Sequence, residues 1–188
     1  MADRRFAATA TPLAGLALVR RIRMEDERGY LSRLYCRDEL SEIGFTGAIV
    51  QINQTVTRAR GAVRGMHFQR PPHAEAKFVS CLRGEVFDVA VDLRAGSPTF
   101  LEWHGERLSG ENGLSLSIPE GFAHGFQTLT DDCELVYLHS AAYDPDSEGA
   151  LNPLDPALGI DWPLPITEMS PRDRGHPFID SGFAGILS

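Results

Sequence analysis

The chain predicts an all-β fold of the sandwich or barrel kind, and three observations carry that expectation. Runs of alternating apolar and polar residues recur along it, turn signals separate them about every ten residues, and a single helix-like stretch interrupts the pattern. At 188 residues the chain is expected to form one domain around one core. Its 43% apolar and 23% charged content is that of an ordinary globular protein, so no unusual class needs to be invoked.

Residues 1–15 read as a loosely structured arm, residues 16–140 as the barrel, and residues 141–188 as a segment packing back onto it. Leu16–Ile22 is the first expected strand, then a turn at Glu25–Gly29 and a strand at Tyr30–Tyr35. Arg37–Ile43 is the short helix, stopped by Gly44. Thr46–Thr57 is β-branched and alternating, with Gln51, Asn53 and Thr55 on one face and Val50, Ile52 and Val56 on the other. A strand carrying Arg64 and His67 follows, broken at Pro71-Pro72. Lys77 then opens another apolar run, which turns at Arg83-Gly84 into the alternating strand Val86–Leu93. Further strands are expected at Thr99–Leu108, Leu114–Ile118, Ala123–Leu129 and Glu134–His139, with turns at Ser97-Pro98, Gly110–Gly113 and Pro119-Glu120-Gly121. Beyond Asp144 the chain is rich in proline and glycine. Trp162, Ile166, Phe178, Phe183 and Ile186 are the side chains expected to hold that segment against the barrel.

A net charge of −8 speaks against a nucleic-acid surface, which needs a basic patch. It leaves room for an anionic ligand, because local arginines override the global sign. Cys36, Cys81 and Cys133 are odd in number and far apart, with no CxxC spacing, so they read as reduced thiols of a cytosolic protein. No apolar run approaches the roughly 18 residues of a membrane helix. The N-terminal stretch lacks the apolar core of a signal peptide, so a cytoplasmic location is expected and no membrane partner.

Arg64, His67 and Lys77 are placed by this reading on neighbouring strands of one sheet, where backbone holds side chains more firmly than loops do. The stretches RGMHFQ (64–69), RGEVFDVAVDLRAGSPTF (83–100), IPEGFAHGF (118–126) and DPALGIDWP (155–163), with Lys77 between the first two, resemble the dTDP-4-dehydrorhamnose 3,5-epimerase family in order and in spacing. The resemblance spans roughly Glu25 to Asp173. It implies a cupin-type jelly-roll barrel, a homodimer, no metal or other cofactor, and epimerisation of a nucleotide-linked 4-keto-6-deoxy sugar.

The residue chemistry agrees in one respect. Pro119-x-Gly121-x-x-His124 resembles the second half of a cupin metal site, whose first half needs His-x-His and a glutamate. Here the chain reads His67-Phe68-Gln69 and then a lysine, which repels a divalent cation, so no metal is expected. These groups suit proton abstraction next to a ketone: His67 as general base, with Lys77 supporting the enolate oxygen. By resemblance Tyr137 returns the proton from the opposite ring face, and Asp173 pairs with His67 to fix its tautomer. Arg28 and Arg64 are implied to face the substrate or its diphosphate, where guanidinium groups suit phosphate oxygens. Gln51 and Asn53 are implied as a polar pair lining the pocket, and His124 as a substrate contact or a support behind one.

His73, His104, His139 and His176 read as surface or local polar residues, and Asp88 and Asp92 as a solvated or inter-strand face. Three departures stand out: Leu138 where the family often has lysine, Gly149–Leu154 where it has Gly-Ile-Arg-Trp, and Arg33 near a usual glutamate. The Asn152–Pro156 wording is closer to the antibiotic-deoxysugar branch. They leave open whether C3, C5 or both are inverted and which base the nucleotide carries. The rivals are a sugar-nucleotide ketoisomerase, a non-catalytic sugar-nucleotide binding protein and a metal-dependent cupin oxygenase.

Overall fold

The structure, a computed structural model, describes residues 4–187. In chain order its elements are β1 (Phe6–Ala10), β2 (Ala17–Arg21), β3 (Arg23–Asp26), β4 (Gly29–Ser32), α1 (Arg37–Ser41), β5 (Gln51–Thr57) and β6 (Val63–Gln69). There follow β7 (Lys77–Arg83), β8 (Glu85–Asp92), β9 (Trp103–Ser109), β10 (Leu114–Ile118), β11 (Phe122–Thr128), β12 (Cys133–His139), β13 (Glu148–Ala150) and α2 (Pro171–Arg174). Two antiparallel sheets carry the fold: a six-stranded one ordered β1-β2-β10-β7-β12-β5 and a five-stranded one ordered β13-β6-β11-β8-β9. β3 and β4 form a separate hairpin. This is the two-sheet jelly roll that the resemblance implies.

Three apolar clusters explain the burial. Between the sheets, Val79, Leu116, Leu135 and Tyr137 of the larger sheet meet Val86, Ala90, Phe122 and Phe126 of the smaller. Outside the six-stranded sheet, Phe78 and Leu138 pack with Phe6, Leu40 of α1 and Phe45. Outside the five-stranded sheet, Met66, Phe68, Val89, Val91 and Leu93 are covered by Leu151, Leu158, Trp162, Phe183 and Ile186 of the C-terminal segment. Each outer layer removes from water a sheet face that would otherwise be solvated. Cys81 and Cys133 are buried free thiols and Cys36 is half-buried; burial pushes the Cys81 thiol up to about 12.

Several sequence expectations change here. Residues 6–10, read as part of a loose arm, form β1 against β2, with Ala8 opposite Val19, because Phe6 anchors the strand in the outer cluster. β13 and α2 carry too little periodicity to be read from sequence; α2 is capped by Ser170, whose side chain accepts from the Asp173 amide. Ile166 is half-buried and Phe178 stays exposed, and neither joins the outer cluster; Leu151, Leu158, Ile160 and Ile179 anchor the C-terminal segment there in their place. β6 and β7, expected in one sheet, lie in different ones, which sets Lys77 across from His67 instead of beside it. Asp88 and Asp92 are wholly buried, not solvated. The tail occupies the outer face of β8, so the acidic face turns inward, where Asp88 meets His124 through one oxygen and Asp92 meets several donors.

Asp92 shows how such a charge is held. It accepts from the Arg94 Nε (2.9 Å), Nη2 (2.7 Å) and backbone N (3.0 Å), from Ser97 Oγ (2.6 Å) and from Thr99 Oγ1 (2.7 Å). Burial alone raises its pKa, but these donors outweigh it and hold the carboxyl at about 2, from an ordinary 3.8. A folded pKa below the unfolded one contributes stability that is complete above about pH 4 and is lost as pH falls towards 2. Asp92→Asn is expected to cost on the order of 3 kcal/mol at neutral pH by leaving Arg94 without its charge partner. Urea unfolding at pH 7 and pH 3 checks this: the variant's deficit should shrink at the lower pH, and an equal deficit at both would refute it.

Candidate active site

A cavity of about 190 Å³ opens between the two sheets. Asn53 and Thr55 of β5, Lys77 of β7 and Tyr137 and His139 of β12 line it from one side. Arg64 and His67 of β6 and His124 and Phe126 of β11 line it from the other. Period-2 alternation accounts for the pairs: Tyr137 and His139, like Asn53 and Thr55, are two apart on one strand and so share its inner face. A second, larger cleft of about 610 Å³ is lined by Arg64, His67, Thr167, Ser170, Arg172 and Arg174, among others. Arg64 and His67 border both spaces.

The approach of β6 to β11 depends on two glycines. A Cβ at Gly65 would lie 2.5 Å from the Gly125 Cα, and one at Gly125 would lie 2.7 Å from the Arg64 carbonyl; Gly65 also has φ +134°. No other residue type fits that contact. The register shifts between His124 and Phe126, and His124 comes directly opposite His67.

Each of these histidines is held by a buried carboxylate. His67 Nε2 lies 2.8 Å from Asp173 Oδ1, and His124 Nε2 lies 2.8 Å from Asp88 Oδ1. A carboxylate only accepts, so neutral His67 carries its proton on Nε2 and leaves Nδ1 as the basic nitrogen. Asp173 also accepts from the Gly65 amide (3.4 Å). Burial raises its pKa, but the bonds from His67, Gly65 and Ser170 outweigh that and hold the carboxyl below its usual range. It therefore stays ionised behind the ring.

On the opposite wall, Lys77 Nζ donates to the His67 carbonyl (3.2 Å) and pairs with Glu75 Oε1 (3.0 Å). Tyr137 packs edge-on to His124, ring centroids 5.8 Å apart, and stacks on His139 at 6.0 Å. Burial pushes the Tyr137 hydroxyl well above its ordinary range, so it keeps its proton. Arg64 donates to Thr57 Oγ1 (3.3 Å) between the two spaces.

Of the residues singled out in the sequence, His67, Lys77, Arg64, Asn53, His124 and Tyr137 line the smaller cavity, and Asp173 stands behind His67. Two do not come to it. Gln51 accepts from the Tyr143 amide (3.0 Å) and lies outside both linings. Arg28 sits on the β3–β4 hairpin, its side chain 90% exposed and paired with Asp26 at 2.5 Å. His139, expected at the surface, is buried in the cavity wall with Nδ1 2.7 Å from Glu75 Oε2. Leu138 points the other way, into the outer cluster, so that departure leaves the cavity untouched. Glu75, His139, Arg172 and Arg174 were missed. The available signal was spacing: Glu75 and His139 each lie two residues from a residue already chosen, and the arginines flank Asp173. Arg172 is bonded to Glu148, which also accepts from the Tyr143 hydroxyl (3.0 Å). Among the described residues no group of three or more His, Cys, Asp or Glu side chains is placed to hold a metal ion, and no helix is long and apolar enough to cross a membrane.

Residues 10–181 match the family model described as dTDP-4-dehydrorhamnose 3,5-epimerase. A dTDP-4-dehydrorhamnose 3,5-epimerase of Salmonella typhimurium is 45% identical over 157 residues, 82% of this chain and 85% of that protein. A dTDP-4-dehydrorhamnose 3-epimerase of Streptomyces niveus is also 45% identical, over 79% of this chain and 72% of that one. Among solved structures, a dTDP-6-deoxy-D-glucose-3,5-epimerase from Legionella pneumophila in complex with dTDP-4-keto-L-rhamnose superposes with a TM-score of 0.90 at 38% identity. That match covers 97% of this chain and 99% of the other.

Proposed function

The chain belongs to the dTDP-4-dehydrorhamnose 3,5-epimerase family, and on that premise we propose that it epimerises a dTDP-linked 4-keto-6-deoxyhexose at C3, C5 or both. The observation that carries the mechanism is the placement of a carboxylate-held histidine and a protonated tyrosine on opposite walls of one cavity. His67 Nδ1 takes the proton from the carbon next to the ketone, and the electron pair moves onto the ketone oxygen. Asp173 stabilises the imidazolium that results. Lys77 donates to the enolate oxygen from the facing sheet. Tyr137 then gives its proton to the carbon from the other face, and inversion is complete. Arg64, with the arginines of the adjoining cleft, suits the diphosphate.

The relatives support a dTDP sugar, but they do not separate one inversion from two, because a 3,5-epimerase and a 3-epimerase are each 45% identical to this chain. Our reading includes a single epimerase unit acting as a cytoplasmic homodimer, without nucleic-acid or membrane partners. Dimerisation is supported by an apolar face on the edge strand: Val50, Ile52 and Val56 are 54%, 62% and 54% exposed while the polar face of β5 points inward. The hairpin also exposes Met24, Tyr30 and Leu31 beside Arg28. A partner covering these surfaces is the means by which Arg28 reaches a substrate.

The test is proton NMR of dTDP-4-keto-6-deoxyglucose incubated with the protein in D2O. Deuterium at both C3 and C5 with a new sugar configuration is the signature of a double epimerase, and at one carbon that of a single-centre enzyme. No carbon-bound exchange would refute the proposal.

A further inference from the structure

The wall beside Tyr137 contains a third histidine–carboxylate pair, and it is linked to Lys77. Glu75, whose side chain is 9% exposed, gives one oxygen to Lys77 Nζ at 3.0 Å and the other to His139 Nδ1 at 2.7 Å. Both partners are themselves buried in the cavity wall. The carboxylate is thus a bridge with a fixed cation on one side and a titratable ring on the other. Burial raises the Glu75 pKa, yet the bond from His139 and the charge of Lys77 outweigh it and hold the carboxyl below its usual range.

This bridge has a consequence for the enolate. With His139 neutral, Lys77 and Glu75 sum to no charge, and the carboxylate competes with the enolate oxygen for the ammonium. With His139 protonated, the three groups sum to one positive charge. At these separations, inside a wall shielded from water, such competition is far stronger than in bulk solvent. We propose that His139 is a positioning residue that acts as the counter-charge of Glu75, leaving Lys77 its charge for the oxygen of the enolate. The proposal rests on the epimerase reading above and assigns a role to two residues which that mechanism does not use.

The titratable and charged groups that face His139 are Glu75 and Lys77, Tyr137 on its own strand, and Arg64, His67 and His124 across the cavity. The two histidines there are each held by their own aspartate, so Glu75 is the carboxylate bonded to His139. Asn53 brings its amide to 3.4 Å from Nε2 and can donate to the neutral ring or, turned over, accept from the imidazolium.

A double-mutant cycle tests this on dTDP-4-keto-6-deoxyglucose, with kcat and KM read by NMR and Tm measured for every variant. His139→Gln is expected to lower kcat about tenfold, and Glu75→Gln added to it to restore most of that loss, the sign of coupling through one charge. KM should change less than kcat, since the interaction strengthens as the enolate forms. A purely structural pair would shift Tm but leave kcat, read well below the lowest Tm, within about twofold of wild type in every variant, since breaking a buried ion pair costs stability and not turnover; that outcome overturns the proposal. A double variant no faster than His139→Gln, with a wild type that exchanges carbon-bound protons, overturns this proposal alone. A wild type that exchanges none overturns the epimerase reading and this proposal with it.

Discussion

His67→Asn is expected to lower kcat by on the order of 10²–10⁴-fold, the size of a general-base contribution, while leaving the fold intact. The fold should survive because the ring is a partly exposed lining residue, not a core one: its side chain is 37% accessible, against 6% for Asp173. Asparagine cannot take a proton at neutral pH, so no step at C3 or C5 starts, and deuterium incorporation should fall with inversion. The two must fall together, because a single base lies upstream of both. A variant that keeps turnover within about tenfold of wild type would remove His67 from the role of base. One that loses inversion but keeps exchange would move the base elsewhere, with His124 the next histidine on that wall.

How much of this was legible in the sequence follows from what each residue touches. The strands β6, β7, β8 and β12 were readable as apolar or alternating runs between turn signals, and the base and the cation came with them, whereas Tyr137 was singled out by the resemblance alone. The inward turn of Asp88 was not readable. Alternation gives two faces but does not say which is outside, and a tail more than 60 residues downstream decides it. The exposed apolar face of β5 is the same ambiguity resolved the other way. His139 was misread because a polar residue ending a strand is ordinarily solvated, whereas here Glu75 reaches it across the start of the neighbouring strand. Sheet membership was also beyond reach: β6 and β7 are consecutive, and consecutive strands more often pair than part. That one difference turns a row of groups on one surface into two walls, and only two walls can address both faces of a sugar ring.

Tyr137→Phe is the variant that separates the two walls. If His67 removes the proton and Tyr137 returns one from the opposite face, losing the hydroxyl should stop inversion without stopping the first step. The enolate would then recover its proton from His67 itself. Since the His67 ring is partly open to solvent, that proton becomes deuterium in D2O before it goes back. The expected outcome is deuterium incorporation with retained configuration, and inversion slower by about 10³-fold. The fold should tolerate the change, because phenylalanine keeps the ring contacts to His124 and His139. Burial strengthens the case for the tyrosine as donor: it raises the hydroxyl pKa, so the proton is in place when the carbanion forms, and the tyrosinate left behind is quickly reprotonated. Unchanged inversion would mean that another group supplies the second proton. Exchange and inversion falling equally would mean that Tyr137 is needed for the first step, as a part of the enolate's binding site and not as its acid.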